Sequence, residues 1–428
     1  MSYETEPNAD KLDFLIEDTR SLEQRFASVD RYTAGVLERA VEGTRPDVEE
    51  GTHLLGLRGN DLSALVAAAD HCRREDVGDV VTYVVNRNIN WTNICFVGCK
   101  FCAFAHLKGD AEAYDVPMET LLGKVAEAIE RGATEVCMQG GINPELPADG
   151  YFKIIEAVHE AFPDIHIHAY SPMEIMYGAR RAAMSYTDYI GHLKDLGLGS
   201  MPGTAAEILD DEVREILSHK KLDVATWVEI ITTAHRLGLP TTSTVMYGHI
   251  ETPGHVARHI DLLRSIQEQT GGFTEFVPLR FIWQNTVLYR EGRVQPVPQG
   301  ETDLAIYATS KLMLRGLIDN LQTSWVKIGH QLATLTLMAG CNDLGGTLME
   351  ESISREAGAD AGEYTSVDEL EAMIRRAGRT PRQRNTLYGT IEPPEGPDEQ
   401  IYDLHEQSHA SSGWSGSGKA PAGAGGSS

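Results

Sequence analysis

The segment Asn93-Ile94-Cys95-Phe96-Val97-Gly98-Cys99-Lys100-Phe101-Cys102 places three thiols within eight residues, at C-x3-C-x2-C spacing. Thiols clustered so tightly bind metal or do redox chemistry in a reducing compartment. The other cysteines, Cys72, Cys137 and Cys341, are scattered and build no disulfide framework. Structural zinc takes four ligands, and no fourth cysteine adjoins the triplet. A cubane 4Fe-4S cluster held by three thiolates leaves one iron open to an exogenous ligand. Gly98 allows a tight loop around such a cluster, and Phe101 sets an aromatic ring beside it. Iron–sulfur is the leading reading and zinc the alternative.

A triplet of this kind has to be positioned by rigid elements. Residues 1–80 carry apolar positions at helical spacing in Asp10–Ala27, Ala34–Val41 and Leu62–Cys72, which predicts a helical N-terminal extension. From there short β-branched or apolar runs alternate with amphipathic helices. The strand candidates are Val80–Val85, Thr134–Gln139, Ile165–Ser171, Gly197–Met201, Pro240–Met246, Thr274–Ile282, Thr323–Ile328 and Thr334–Ala339. Between them lie helical patterns over Met118–Arg131, Tyr151–Phe162, Val224–Leu237, Val256–Thr270 and Leu304–Leu321. Repeated βα units of this sort predict an α/β fold, a TIM-type (β/α) barrel over residues 81–389. Leu348–Ala359 and Val367–Ala377 read as C-terminal closing helices.

In such a barrel the carboxyl ends of the strands converge on one face. Those ends carry the cysteine loop, Gln139-Gly140-Gly141, His168-Ala169-Tyr170-Ser171, Pro202-Gly203, Tyr247-Gly248-His249 with Glu251, Trp283-Gln284-Asn285, and Asn342-Asp343. Polar groups gathered there are what a barrel active site needs.

Composition bounds the remaining possibilities. The 428 residues are 42% hydrophobic and 23% charged, enough for a full core. No run of 18 apolar residues occurs, and the N-terminus lacks a signal pattern, so a membrane span or export is not expected and a cytoplasmic location is. Net charge is −26 with a pI near 4.9, which disfavours nucleic acid and anionic lipid as partners. Acids spread along the chain, with most basic residues arginine, fit solubility in high salt; an ordinary acidic enzyme is the alternative. Residues 390–428 turn to Pro, Gly, Ser and acid and read as a disordered tail.

The triplet, its aromatic neighbour and the barrel pattern resemble the radical S-adenosylmethionine superfamily. VNRNINWTNICFVGCKFCAF (85–104), HIHAYSPMEI (166–175), GLGSMPGTAAEIL (197–209), TVMYGHIETPGH (244–255), SWVKIG (324–329) and GTLMEESISREAGA (346–359) resemble the FO synthase subunit 2 family, over about residues 50–389. They are less similar to aminofutalosine synthase and dehypoxanthine futalosine cyclase of the menaquinone pathway. The resemblance implies a 4Fe-4S cluster on Cys95, Cys99 and Cys102 and S-adenosyl-L-methionine on the open iron. It also implies transfer of the 4-hydroxybenzyl group of L-tyrosine to 5-amino-6-(D-ribitylamino)uracil, on the way to coenzyme F-420. A separate FO synthase subunit 1 and an electron donor would be the protein partners, because only one cysteine triplet is present. A non-catalytic iron–sulfur electron carrier is a reading from a different class, and a fully four-thiolate cluster would favour it.

The resemblance also suggests roles. Gly140 and Gly141 match the glycine motif that approaches the amino group of S-adenosylmethionine; a plain tight turn is the alternative. Phe101, His168, Ser171 and Glu174 are further candidates for that cofactor, with His168 equally readable as a packed barrel histidine. Tyr170 and Arg280 are substrate-binding candidates, and Asn342 and Asp343 offer donors and acceptors to a uracil edge. His249, Glu251 and Tyr83 are catalytic candidates; His249 and Glu251 would anchor the tyrosine amino group or move a proton, or else form a structural turn. Tyr83 qualifies only if its strand register points it inward. Arg280, Trp283, Cys341 and Leu344 depart from the family pattern, so a paralogue with altered substrate is an alternative. Cys72, Cys137 and Cys341 read as small packed residues.

Overall fold

The structure, a computed structural model, describes Leu12 and residues 18–392. Most of the expected tail, and the first part of the helix expected over Asp10–Ala27, lie outside the described residues; within them that segment is helical only over Leu22–Phe26.

Among the described residues eight strands form, all paired in parallel: β1 (Val80–Val84), β2 (Asn86–Ile89), β3 (Glu135–Met138), β4 (His166–Ala169), β5 (Thr241–Tyr247), β6 (Phe273–Arg280), β7 (Asp343–Gly346) and β8 (Thr380–Arg384). They make three sheets, β7-β1-β8, β2-β3-β4 and β5-β6. Single parallel bridges link them, His168 to Ser200, Met201 to Thr241, Phe276 to Leu321 and Gln322 to Asp343. Helices cover the outer faces, so β5 is buried along nearly its whole length, as parallel strands usually are. The helices start where the chain supplies caps. Ser171 and Thr252 cap Pro172–Ala182 and Pro253–Thr270 with proline just inside, and Gly271 ends the second in a left-handed turn.

Two expected strands are corrected. Thr323–Ile328 and Thr334–Ala339 fall largely within the helix Trp325–Thr336, because a short apolar run fits a buried helix as well as a strand. Gly197–Met201 contributes only the bridges at Ser200 and Met201. Three polar strands, β2, β7 and β8, carry too little hydrophobic pattern to be anticipated. The N-terminal helices Val48–Leu55 and Gly59–Val77 pack on Pro253–Thr270 and Glu301–Leu314. That contact is close: a methyl on Gly51 would meet Met313 Sδ at 2.5 Å.

The polar strands carry a lock between their inner faces. Asp343 accepts from Thr82 Oγ1 at 2.5 Å, from Arg384 Nε at 2.5 Å and from Arg384 Nη2 at 2.9 Å. Arg384 also reaches Glu275 at 3.4 Å, and the Tyr388 hydroxyl donates to Glu275. The side chains of Asp343, Arg384 and Glu275 are each at least 90% buried, so each would be costly without its partner. Among the described residues no helix is long and apolar enough to cross a membrane.

Candidate functional site

Beyond β2 the chain leaves the sheet as the cysteine loop. It is pinned at both ends, since Cys95 N donates to His106 O at 3.0 Å and His106 N returns to Asn93 O at 2.9 Å. Lys100 bonds Leu217 and Leu288 through its backbone, and Cys102 N closes a turn onto Cys99 O. Gly98 takes φ +71°, which a side chain would resist. All six cysteines are free thiols. Burial pushes the Cys99 thiol up to about 12 and raises Cys102 as well.

The three thiols open onto one cavity of about 250 Å³ at the carboxyl ends of the strands. Among the described residues no three His, Cys, Asp or Glu side chains stand close enough to share a single ion.

The glycines after β3 owe their identity to packing. A methyl on Gly140 would lie 2.6 Å from the Trp91 ring, and one on Gly141 would lie 2.4 Å from Ile94 O. These two residues therefore let the cysteine loop settle directly on the end of β3. Gly140 N donates to Glu174 Oε1 at 3.0 Å, while Glu174 Oε2 accepts from Ser171 N and Oγ at 2.7 and 2.8 Å. Burial raises the Glu174 carboxyl to about 7, against the pull of those donors. Glu174 thus ties the end of β3 to the helix that follows β4.

The next wall was not anticipated. The loop after Met201 puts Ala205 and Glu207 at φ +61° and +43°, a strained geometry for side-chain-bearing residues. Arg214 holds it there, donating to the carbonyls of Ala205, Ala206 and Leu222. Glu207 then takes Lys221 Nζ at 2.7 Å, and that ammonium sits 5.2 Å from the Phe101 ring centroid. Burial works against the Lys221 charge, but Glu207 and Cys99 outweigh it and raise the amine. Gln139 and Thr204 join the wall, with Thr204 Oγ1 donating to Gln139 Oε1 at 2.8 Å.

Arg280, at the end of β6, also lines the cavity. Both oxygens of Asp303 take its guanidinium, at 2.6 and 2.8 Å, and Tyr247 donates to the same carboxylate at 2.6 Å. Lys327, Ile353 and Ala357 complete the lining from the C-terminal helices.

Of the residues singled out from sequence, the cavity collects Cys95, Cys99, Cys102, Phe101, Gln139, Gly140, Gly141, Ser171, Glu174 and Arg280. The others lie off it. Tyr83 donates to Glu371 at 2.7 Å, and Tyr170, at φ +66°, donates to Tyr151 O at 2.8 Å. His168 is buried against Ser200 Oγ at 2.7 Å, and burial drops it to about 4 despite Glu135, so it is a neutral imidazole at pH 7. His249 turns back on its own loop, 3.0 Å from Met246 O, while Glu251 accepts from the backbone of Gly248 and His249. Asn342 accepts from Leu321 N, and Asp343 belongs to the lock with Arg384. Trp283 stacks on Tyr289, with ring centroids 4.4 Å apart. Cys72 and Cys341 are buried, and Cys137 is half-buried beside Gln139. Glu207, Lys221 and Lys327 were missed, although Glu207 and Lys327 are charged residues amid apolar neighbours, which is a signal; Lys221, in the polar run 218–221, gives none.

Comparison with known proteins extends the geometry. Residues 89–263 match the Radical SAM superfamily, and residues 270–396 match the CofH/MqnC C-terminal region. The 5-amino-6-(D-ribitylamino)uracil--L-tyrosine 4-hydroxyphenyl transferase of Methanothermobacter thermautotrophicus is 51% identical, over 80% of this chain and 94% of that protein. FO synthase of Nocardia farcinica is 52% identical over 78% of this chain, which spans about two fifths (39%) of that longer protein. Methylornithine synthase superposes with a TM-score of 0.64 at 17% identity, covering 81% of this chain and 97% of that one. The hydrogenase maturase HydG of Carboxydothermus hydrogenoformans superposes at 0.66 and 14%, covering 90% and 87%. These last two likenesses concern the fold alone.

Proposed function

Since the chain belongs to the radical S-adenosylmethionine superfamily, and within it to the family of its 51%-identical transferase relative, we propose that it joins the 4-hydroxybenzyl group of L-tyrosine to 5-amino-6-(D-ribitylamino)uracil, a step toward the deazaflavin FO. One observation carries this reading. A single strand-end cavity is lined at once by three free thiols, by the Gly140-Gly141 turn and by a charged Lys221–Glu207 pair.

In this reading Cys95, Cys99 and Cys102 would hold a 4Fe-4S cluster, with S-adenosylmethionine bound at its open iron. The loaded pair supplies one-electron chemistry that side chains lack. Lys221, fixed by Glu207 beside Cys99, presents a positive charge to the carboxylate of S-adenosylmethionine. Ser171 and Glu174 keep the Gly140-Gly141 turn against the cysteine loop, so the cavity floor does not shift as ligands enter. Arg280, already neutralised by Asp303, shapes the substrate side. Tyr83, His168, Tyr170, His249, Glu251, Asn342 and Asp343 contribute by holding the strand ends that carry these groups.

We read the parallel pairings, running β2, β3, β4, Ser200, Met201, β5, β6, Leu321, Gln322, β7 and β1, as a TIM-type barrel over residues 81–389 with a helical extension before it. A cytoplasmic location, a separate FO synthase subunit 1 and an electron donor complete the proposal.

The test is anaerobic. Protein reconstituted with iron and sulfide is reduced and given S-adenosylmethionine, tyrosine and the aminouracil, with Cys99→Ala as the blank. Adduct found by mass spectrometry only with both substrates, and absent from the blank, is the expected result. 5′-Deoxyadenosine without adduct would overturn the substrate assignment.

A further inference from the structure

Three ammonium or guanidinium groups line the cavity, and they are not equivalent. Lys221 is paired with Glu207 at 2.7 Å, and Arg280 is taken by both oxygens of Asp303. Lys327 faces the same space, yet among the described residues its ammonium has no hydrogen-bond acceptor and no carboxylate at ion-pair distance. Glu351 and Cys102 act on it only from farther off, and the Glu351 carboxylate caps the next helix by accepting from Ser354 N at 2.7 Å. Burial lowers the amine below the usual lysine range, the direction expected of a desolvated cation without a counter-ion.

The placement is built rather than incidental. Lys327 stands in the first turn of Trp325–Thr336, whose Trp325 Nε1 donates to Gly346 O at 2.9 Å. Two residues later Gly329, at φ +78°, breaks the helix, so this one turn is oriented independently of the rest. The same cavity also has apolar lining, from Phe281, Ile282, Ile353 and Ala357. A cation without a carboxylate partner, in a cavity that also offers apolar surface, matches a ligand that has one carboxylate and one aromatic ring. The aminouracil has no carboxylate, and in the reading above the carboxylate of S-adenosylmethionine would be met by Lys221.

We propose that Lys327 anchors the carboxylate of the amino-acid substrate, with the apolar lining of the cavity receiving its ring. The inference rests on the tyrosine-transferase reading of the same cavity. Lys327 fixes the amino-acid end, and so decides which aromatic compounds are held with their side chain toward the cofactor.

The experiment uses the reconstituted, reduced protein and three variants: Lys327→Met, Lys327→Arg and Lys221→Met. Loss of a charge-assisted contact predicts that Lys327→Met raises KM for tyrosine about 10- to 100-fold, while Lys327→Arg stays within a few-fold of wild type. Two competitors report the carboxylate directly. 3-(4-Hydroxyphenyl)propionate, with a carboxylate and no amine, competes better than tyramine in the wild type, and that preference disappears in Lys327→Met. The change that S-adenosylmethionine causes in the electron paramagnetic resonance spectrum of the cluster persists in Lys327→Met and weakens in Lys221→Met. An unchanged competitor preference overturns the proposal, as does loss of the S-adenosylmethionine response in Lys327→Met. Wild type forming no tyrosine adduct would instead refute the transferase reading, a distinguishable failure.

Discussion

Gly141→Ala is a one-methyl perturbation whose effect follows from two measured clearances. The residue does not occupy the left-handed region, so alanine is acceptable to its backbone. Space is what it lacks: the new Cβ would stand 2.4 Å from Ile94 O and 3.0 Å from Cys95 Cβ. The obstacle is a carbonyl, not the end of a flexible side chain, and merely reaching 3.0 Å requires a retreat of 0.6 Å. That carbonyl precedes Cys95, whose own N–H is tied to His106 O, and Phe96 N bonds Ile142 O at 3.3 Å. Overpacking against so constrained a segment costs about 1–3 kcal/mol. If the cost falls on the cluster-ready form of the loop, apparent affinity for the cluster drops about 5- to 150-fold. Iron and sulfide per chain, measured after anaerobic reconstitution at limiting iron, would show it, alongside thermal unfolding of the unloaded protein. Gly98→Asn is the control, because a methyl there meets nothing within 4 Å and asparagine tolerates its φ of +71°. Gly141→Ala protein that loads iron as the wild type does would refute the reasoning.

Asp303→Asn strips Arg280 of its buried counter-charge and should destabilise the protein by about 3–5 kcal/mol, whereas the double variant Arg280→Met/Asp303→Asn recovers much of the loss. Denaturant midpoints read the comparison, and a single variant as stable as the double would contradict it. His235 is held by burial at about 4 between Thr270 Oγ1 and Thr241 Oγ1. Its folded value lies below the unfolded one, so the stability linked to its neutral form is present above pH 6.5 and is lost as pH falls toward 4. Relative to His235→Gln, the wild type should therefore lose about 3 kcal/mol between those pH values, and parallel pH profiles of the two proteins would rule this out.

The parts of the site legible in the sequence were those whose spacing is local. Cys95, Cys99 and Cys102 announce themselves within eight residues, and Gly140-Gly141 and Ser171-x-x-Glu174 are also contiguous signals. Lys221 and Glu207 are 14 residues apart and meet only because Arg214 bends the intervening loop, which no periodicity displays. His249 and Asp343 looked functional because they are polar and follow strands, yet turns and strand locks use the same residue types for their own hydrogen bonds. Apart from β2 and the reduced strand at Gly197–Met201, the alternation of β and α elements was readable up to β6. Beyond it, β8 reads as a loop because its TPRQR sequence points Arg384 inward to a carboxylate in place of an apolar side chain.

The position of β1 constrains when the enzyme can come into being. It is the middle strand between β7 and β8, with Thr82 aligned to both Asp343 and Arg382. During synthesis Thr82 emerges 261 residues ahead of Asp343, on the order of tens of seconds at ribosomal speed. Throughout that interval Val80–Val84 is an apolar strand with neither neighbour. A ribosome stalled before β7 therefore releases a chain whose strand Val80–Val84 has an unpaired edge on each side and is free to aggregate.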